Sequence, residues 1–167
     1  MVADLRYSND PLGLFGRRTL ITLAQYVLRR NGVPLGASGS LQNMLRRSLG
    51  AGSFAGFWRH WNPVWGYGLA RYVQSPLLLI VPPAAAIIVT FAVCGALHDL
   101  VIIVVRGSPT LFFTPWFILL GVGVVLGQLV GIDLSSQPWP IRALANLIYL
   151  GICLVLTVVA RWVLAIP

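Results

Sequence analysis

The sequence predicts an all-α integral membrane protein, with about three transmembrane helices preceded by amphipathic helices at the membrane surface. Three observations carry this. Hydrophobic residues make up 57% of the 167 residues and charged residues only 10%, whereas a soluble domain carries roughly 25% charged residues. Three long apolar runs follow one another in the second half, each supplying the roughly 20 residues that a bilayer crossing needs. The charge is also uneven. Residues 1–83 hold nine arginines and two aspartates, and residues 84–167 hold three arginines and two aspartates. A basic first half belongs on the cytoplasmic side by the positive-inside tendency. The expected location is a bacterial inner membrane, with the lipid bilayer as partner and no nucleic acid.

The chain divides at about residue 75. Residues 1–75 form a basic, amphipathic segment and residues 76–167 a three-helix transmembrane region. Residues 14–30, LFGRRTLITLAQYVLRR, set Leu20, Ile21, Leu23, Ala24, Val27 and Leu28 in an apolar stripe between paired arginines. This segment is too short and too basic to cross, and reads as an interfacial helix. Residues 31–40, NGVPLGASGS, are a loop by composition. Residues 41–49, LQNMLRRSL, predict a second short amphipathic helix.

An aromatic stretch, FWRHWNPVWGYGLARYV, occupies residues 57–73. Asn62 before Pro63 reads as an N-cap with proline at the first helical position, predicting a helix from Pro63 to about Tyr72. Trp58, Trp61 and Trp65 fall at helical spacing, which also suits an interfacial belt.

The spans are expected over about Leu77–Val105, Leu111–Gly131 and Ile141–Leu164, an odd number that puts the two termini on opposite sides. Gly123, Gly127 and Gly131 recur every four residues in the second span. They would allow close approach by a helix of this chain or of another polypeptide. Cys94 and Cys153 lie in apolar runs without metal-ligand spacing, and read as small packing residues rather than a disulfide or a metal site. The start, MVADLRYSNDPLG, lacks a basic region followed by an apolar run, so no signal peptide is expected.

The residues with chemical potential are few. His98 lies eight residues before Arg106, about 12 Å along a helix, within or close to the hydrocarbon layer. An ionisable residue at such depth is expensive and is a functional candidate by default. A neutral imidazole there can accept a proton. Gly95, close to the preceding turn, would open space beside the ring. Asp99 would orient a neighbouring donor or face Arg106. A packing histidine bonded to a neighbouring carbonyl and an Asn62 that acts only as a cap are the plain alternatives.

FWRHWN, then LARYVQSPL, then a span ending GALHDL resembles the membrane-bound O-acyltransferase family. The match is nearer its wax synthase-like branch, where Asn stands in the first motif and a histidine followed by an acidic residue in the second. The resemblance covers about residues 40–105. Two positions depart from the family pattern: Arg71-Tyr72 has no aspartate between its residues, and Leu97 stands where the family has Trp or Met before the histidine. Family enzymes are also about twice this length or more.

The resemblance implies transfer of an acyl group from a thioester, on coenzyme A or an acyl carrier as co-substrate, to a lipid or other hydroxyl. No bound cofactor is implied. It makes His98 the general base and Asn62 a hydrogen-bond donor to the thioester carbonyl or to the oxyanion. It makes Arg59, Arg71, Trp58 and Trp61 candidates for donor binding, with Asp99 and Gly95 in support. With only three spans, the chain is expected to act as a homo-oligomer or within a larger membrane complex. The alternative function is a non-catalytic accessory subunit that retains an acyltransferase-like core.

Overall fold

A computed structural model describes residues 21–107 and 111–164. The first part of the predicted surface helix, residues 14–20, lies outside them. Each described helix has a legible start or stop. α1 (Leu23–Asn31) opens on a reciprocal cap: Gln25 N donates to Thr22 Oγ1 and Thr22 N donates to Gln25 Oε1, which satisfies two otherwise orphaned donors. It closes at Gly32 in the left-handed conformation. α2 (Ser40–Leu49) follows the predicted loop. α3 (Phe54–His60) is capped by Ser53, and α4 (Pro63–Leu69) by Asn62.

The aromatic stretch runs further than its pattern indicated. After α4 the chain makes a π-helical turn, Ala70–Gln74, and then the short α5, Ser75–Leu77. Pro76 lacks the N–H that a continuing helix would use. Ser75 Oγ donates instead to the carbonyl of Ala70 at 2.7 Å.

The three predicted spans are present as α6 (Pro83–Arg106), α7 (Phe113–Val130) and α8 (Trp139–Val163). α6 begins six residues later than expected, because Pro82 and Pro83 start a helix rather than sit inside one;. Among the described residues there is no strand, and the chain is an all-α membrane protein. Leu129 is 78% exposed and Val104 76%. Such outward apolar faces are stable only where the surrounding medium is itself apolar, as in a bilayer.

α6 and α7 form the closest pair. A Cβ on Gly95 would lie 2.6 Å from the carbonyl oxygen of Phe113, and one on Gly121 would lie 3.0 Å from Phe91 Cβ. The hairpin is pinned by Asp99, which is 1% exposed. Its carboxylate accepts from the backbone N–H of Phe112 (2.9 Å), Phe113 (2.8 Å) and Thr114 (2.7 Å), and from Thr114 Oγ1 (2.6 Å). These N–H groups belong to the exposed positive end of α7, where a carboxylate is favoured. Asp99 therefore caps the neighbouring span.

The basic segment does not lie apart from the spans. Asn146 of α8 donates to the carbonyls of Leu49 and Ala51, each at 2.9 Å. Trp139 Nε1 donates to Arg46 O at 3.0 Å. Phe54 of α3 stacks on Tyr149 of α8 with ring centroids 3.6 Å apart. Tyr149 also lies against Gly123, and Gly127 meets Phe54. Two of the three spaced glycines thus serve packing inside this chain. The third, Gly131, ends α7 at φ 73°. Cys94 and Cys153 are buried free thiols in the core, with Phe117, Leu120 and Tyr149.

The joint of α1, α2 and α3 is the carbonyl of Arg30. It accepts from Arg47 Nη1 at 3.1 Å and lies 2.9 Å from His60 Nδ1, which donates to it. Burial pushes the His60 pKa below 6.5. The bond to Arg30 O opposes this, and the charges of Arg30, Arg47 and Arg59 add to it.

Two expectations follow from these contacts. Asp99→Ala strands three backbone donors and lowers stability by about 3 kcal/mol, and Gly95→Ala forces α6 and α7 apart at a cost of about 1–3 kcal/mol. Unfolding in detergent micelles measures both, and unchanged melting would refute the hairpin account. A folded-state pKa below the unfolded one means that the unfolded chain binds the proton more readily. Stability is then full above pH 6.5 and declines as the pH falls below it, until the folded pKa is passed. Melting compared on either side of that value, with His60→Gln as the control that flattens the slope, checks the sign.

Candidate functional site

His98 sits one turn beyond Cys94 on α6, and its Nδ1 lies 2.7 Å from the Cys94 carbonyl oxygen. A carbonyl oxygen only accepts, so Nδ1 carries the proton, and in the neutral ring Nε2 carries the lone pair. Nε2 has no hydrogen-bond partner among the described residues. The helix itself therefore selects the tautomer that a proton acceptor requires.

The ring is held by aromatics from two other elements. Phe117 stacks on it with centroids 5.2 Å apart, Phe113 lies at 5.5 Å, and Trp65 meets it edge-on at 6.1 Å. Trp65 Nε1 donates to Cys94 Sγ at 3.1 Å, which ties α4 to the same turn of α6.

Asn62 is the one non-glycine residue with positive φ among those described, at φ 39° and ψ 70°. Asparagine tolerates this region better than most residues. Its Oδ1 accepts from Trp65 N at 3.3 Å and starts α4. The Nδ2 amide has no partner among the described residues. One carboxamide thus caps a helix with its oxygen and leaves two donors unused.

Asn62 and His98 line a single cleft of about 90 Å³, together with Trp58, Trp61, Trp65, Leu69, Phe91, Cys94 and Phe117. The lining is mostly apolar. A third polar residue, Thr90, gives its hydroxyl proton to Ala86 O at 2.6 Å. A proton acceptor and a hydrogen-bond donor in an apolar chamber suit the removal of a hydroxyl proton and the stabilisation of a developing oxyanion. The volume falls below the roughly 300–1,000 Å³ of enclosed ligand pockets. It holds reacting groups but not a long chain.

The other sequence candidates fall in different places. Trp58 and Trp61 line the cleft. Arg59, exposed, borders a neighbouring cavity. Arg71 donates to Tyr67 Oη at 2.6 Å and lies over the rings of Tyr67 and Tyr72, outside the cleft lining. Asp99 is engaged on α7, and Gly95 meets the α7 backbone instead of opening space beside the ring. Thr90 and Cys94 were missed, although they precede His98 by two turns and one on the same helix face. Phe117 had no local signal, since it arrives from another helix. Among the described residues no three His, Cys, Asp or Glu residues group to hold a metal.

Comparison with known proteins gives no match to any protein-family model, curated protein or solved structure.

The double use of Asn62 is separable by substitution. Asn62→Ala loses a cap worth about 0.5–2 kcal/mol and sits poorly at positive φ, costing about 1–2 kcal/mol more. Asn62→Asp keeps the capping oxygen and tolerates the backbone. Thermal melting should fall for alanine and hold for aspartate; equal losses would count against the capping role.

Proposed function

We propose that the chain is a membrane O-acyltransferase-like protein that moves an acyl group from a thioester donor to a lipid or other hydroxyl acceptor, with His98 as general base. One observation carries the reading. His98 and Asn62, whose Nε2 and Nδ2 have no hydrogen-bond partner among the described residues, border the same apolar cleft.

In this mechanism the acceptor hydroxyl gives its proton to His98 Nε2 as its oxygen bonds to the thioester carbonyl carbon. The carbonyl oxygen becomes an oxyanion and accepts a hydrogen bond from Asn62 Nδ2. Collapse breaks the C–S bond, and the departing thiolate takes the proton back from the imidazolium, leaving ester and thiol. The apolar walls strengthen these interactions by excluding water. Thioester donors of the coenzyme A or acyl carrier type carry phosphates, and the basic first half would attract them. That half would then face the cytoplasm of a bacterial inner membrane.

The size of the cleft favours a chamber completed by further helices. About 90 Å³ does not enclose an acyl thioester, and only 22–28% of the apolar stretch of each span is buried. A second copy of the chain or a larger complex would close it. The same smallness supports the alternative, a non-catalytic accessory subunit.

The test uses the chain in proteoliposomes with a labelled acyl thioester. His98→Ala should insert normally and lower ester formation by about 10²–10⁴-fold; Asn62→Asp should insert normally and also lose rate. Undiminished turnover in His98→Ala rejects the base. Absence of transfer by the intact chain, with co-purification in a larger membrane assembly that neither substitution disturbs, supports the subunit reading.

A further inference from the structure

A second cavity lies beside the His98 cleft and shares Trp58, Thr90 and Phe91 with it. It holds about 50 Å³ between α3, the π-helical turn, α6 and α7. Two of its lining residues are buried and polar. Gln74, on the π-helical turn, is 4% exposed, and its Oε1 is buried with no hydrogen-bond partner among the described residues. Thr90 is 3% exposed, and because its proton goes to Ala86 O its oxygen is left only with acceptor capacity. Of the other residues with polar atoms, Arg59 and Gln128 are exposed and bring donors, and Trp58 Nε1 is a buried donor with no hydrogen-bond partner among the described residues. No carboxylate pairs with Arg59 among the described residues.

A buried carbonyl without a donor is costly, and native chains rarely keep one without a reason. π-helical turns also concentrate at functional sites. The chemistry narrows the occupant. An apolar group leaves Gln74 Oε1 unsatisfied. A carboxylate or phosphate dianion has no proton to give it, and an ammonium would sit beside the Arg59 charge. A hydroxyl donates to Oε1 and still accepts. The volume of about 50 Å³ admits a hydroxymethyl group.

We propose that this cavity is a subsite for the hydroxymethyl end of a polyhydric alcohol. Its hydroxyl donates to Gln74 Oε1, and a further oxygen of the same molecule accepts from Arg59. The proposal rests on the acyl-transfer reading in naming this molecule the acceptor, because the cavity adjoins the His98 cleft. Its binding chemistry does not depend on that reading.

The experiment measures binding without any thioester. The full chain in nanodiscs is titrated with 1,2-octanediol and with 1-octanol, read by tryptophan fluorescence, since Trp58 forms part of the shared wall. The intact chain should bind the diol about ten-fold more tightly, the worth of one added hydrogen bond. Gln74→Leu, which removes the orphaned carbonyl, should melt no lower than the parent and bind both alcohols alike. Arg59→Gln, at an exposed position, should weaken diol binding and leave octanol unchanged, which keeps the test available if Gln74→Leu does not fold. Equal affinity for the two alcohols in the intact chain, or a diol preference that survives Gln74→Leu, overturns the subsite and leaves a cavity holding resident water only. A diol preference in a chain that forms no ester would retain the subsite and reject the acyl-transfer reading. Ester formation without that preference would do the reverse.

Discussion

The arrangement depends on a single carboxylate. Asp99 sits inside an apolar span, where an unpaired charge would be prohibitive, and it is stable there because α7 begins beside it. Three backbone N–H groups and the Thr114 hydroxyl converge on its two oxygens. The carboxylate needs those donors, and the first turn of α7 needs an acceptor. Each end of the hairpin meets a requirement of the other. Gly95, one turn earlier on α6, lets the two backbones close to the distance at which these bonds form.

Once α7 is fixed against α6, Phe113 and Phe117 are carried to His98. The adjacent pair His98-Asp99 thus divides its labour. The aspartate faces the neighbouring helix and is consumed in architecture. The histidine uses its own helix for orientation, through the Cys94 carbonyl, and its second nitrogen is unengaged among the described residues. A carboxylate is not needed to select the tautomer, because a backbone carbonyl does so at no cost in buried charge. Asn62 repeats this economy, with one end of its carboxamide given to a helix start and the other unengaged among the described residues.

The bilayer is the other constraint. The three spans bury only a minor part of their surface against one another. α2 and α3 pack against α7 and α8 through side-chain bonds to otherwise free carbonyls, as Asn146 does for Leu49 and Ala51. The basic segment is therefore joined to the spans, and the cleft lies where it meets α6 and α7. This also explains why the cavities are small. Three spans and short helices enclose little volume, and their outward apolar faces are left for lipid or for further helices.

Much of this was legible in the chain itself. Apolar run length gave the three spans to within a few residues, except where Pro82 and Pro83 moved the start of α6. Asn62-Pro63 announced a helix start, and an ionisable pair in a greasy run marked α6 as unusual. These features are local: periodicity, caps and proline positions act within a few residues, so they can be read in order. The partner of Asp99, the aromatic cage of His98, the burial of Gln74 and the meeting of Asn62 with His98 in one cleft were decided only when distant segments packed. A polar side chain in an apolar run declares that it must be satisfied. Which group satisfies it depends on which helices touch, and that is settled by close approach at Gly95, Gly121 and Gly123 rather than by any residue beside it in sequence.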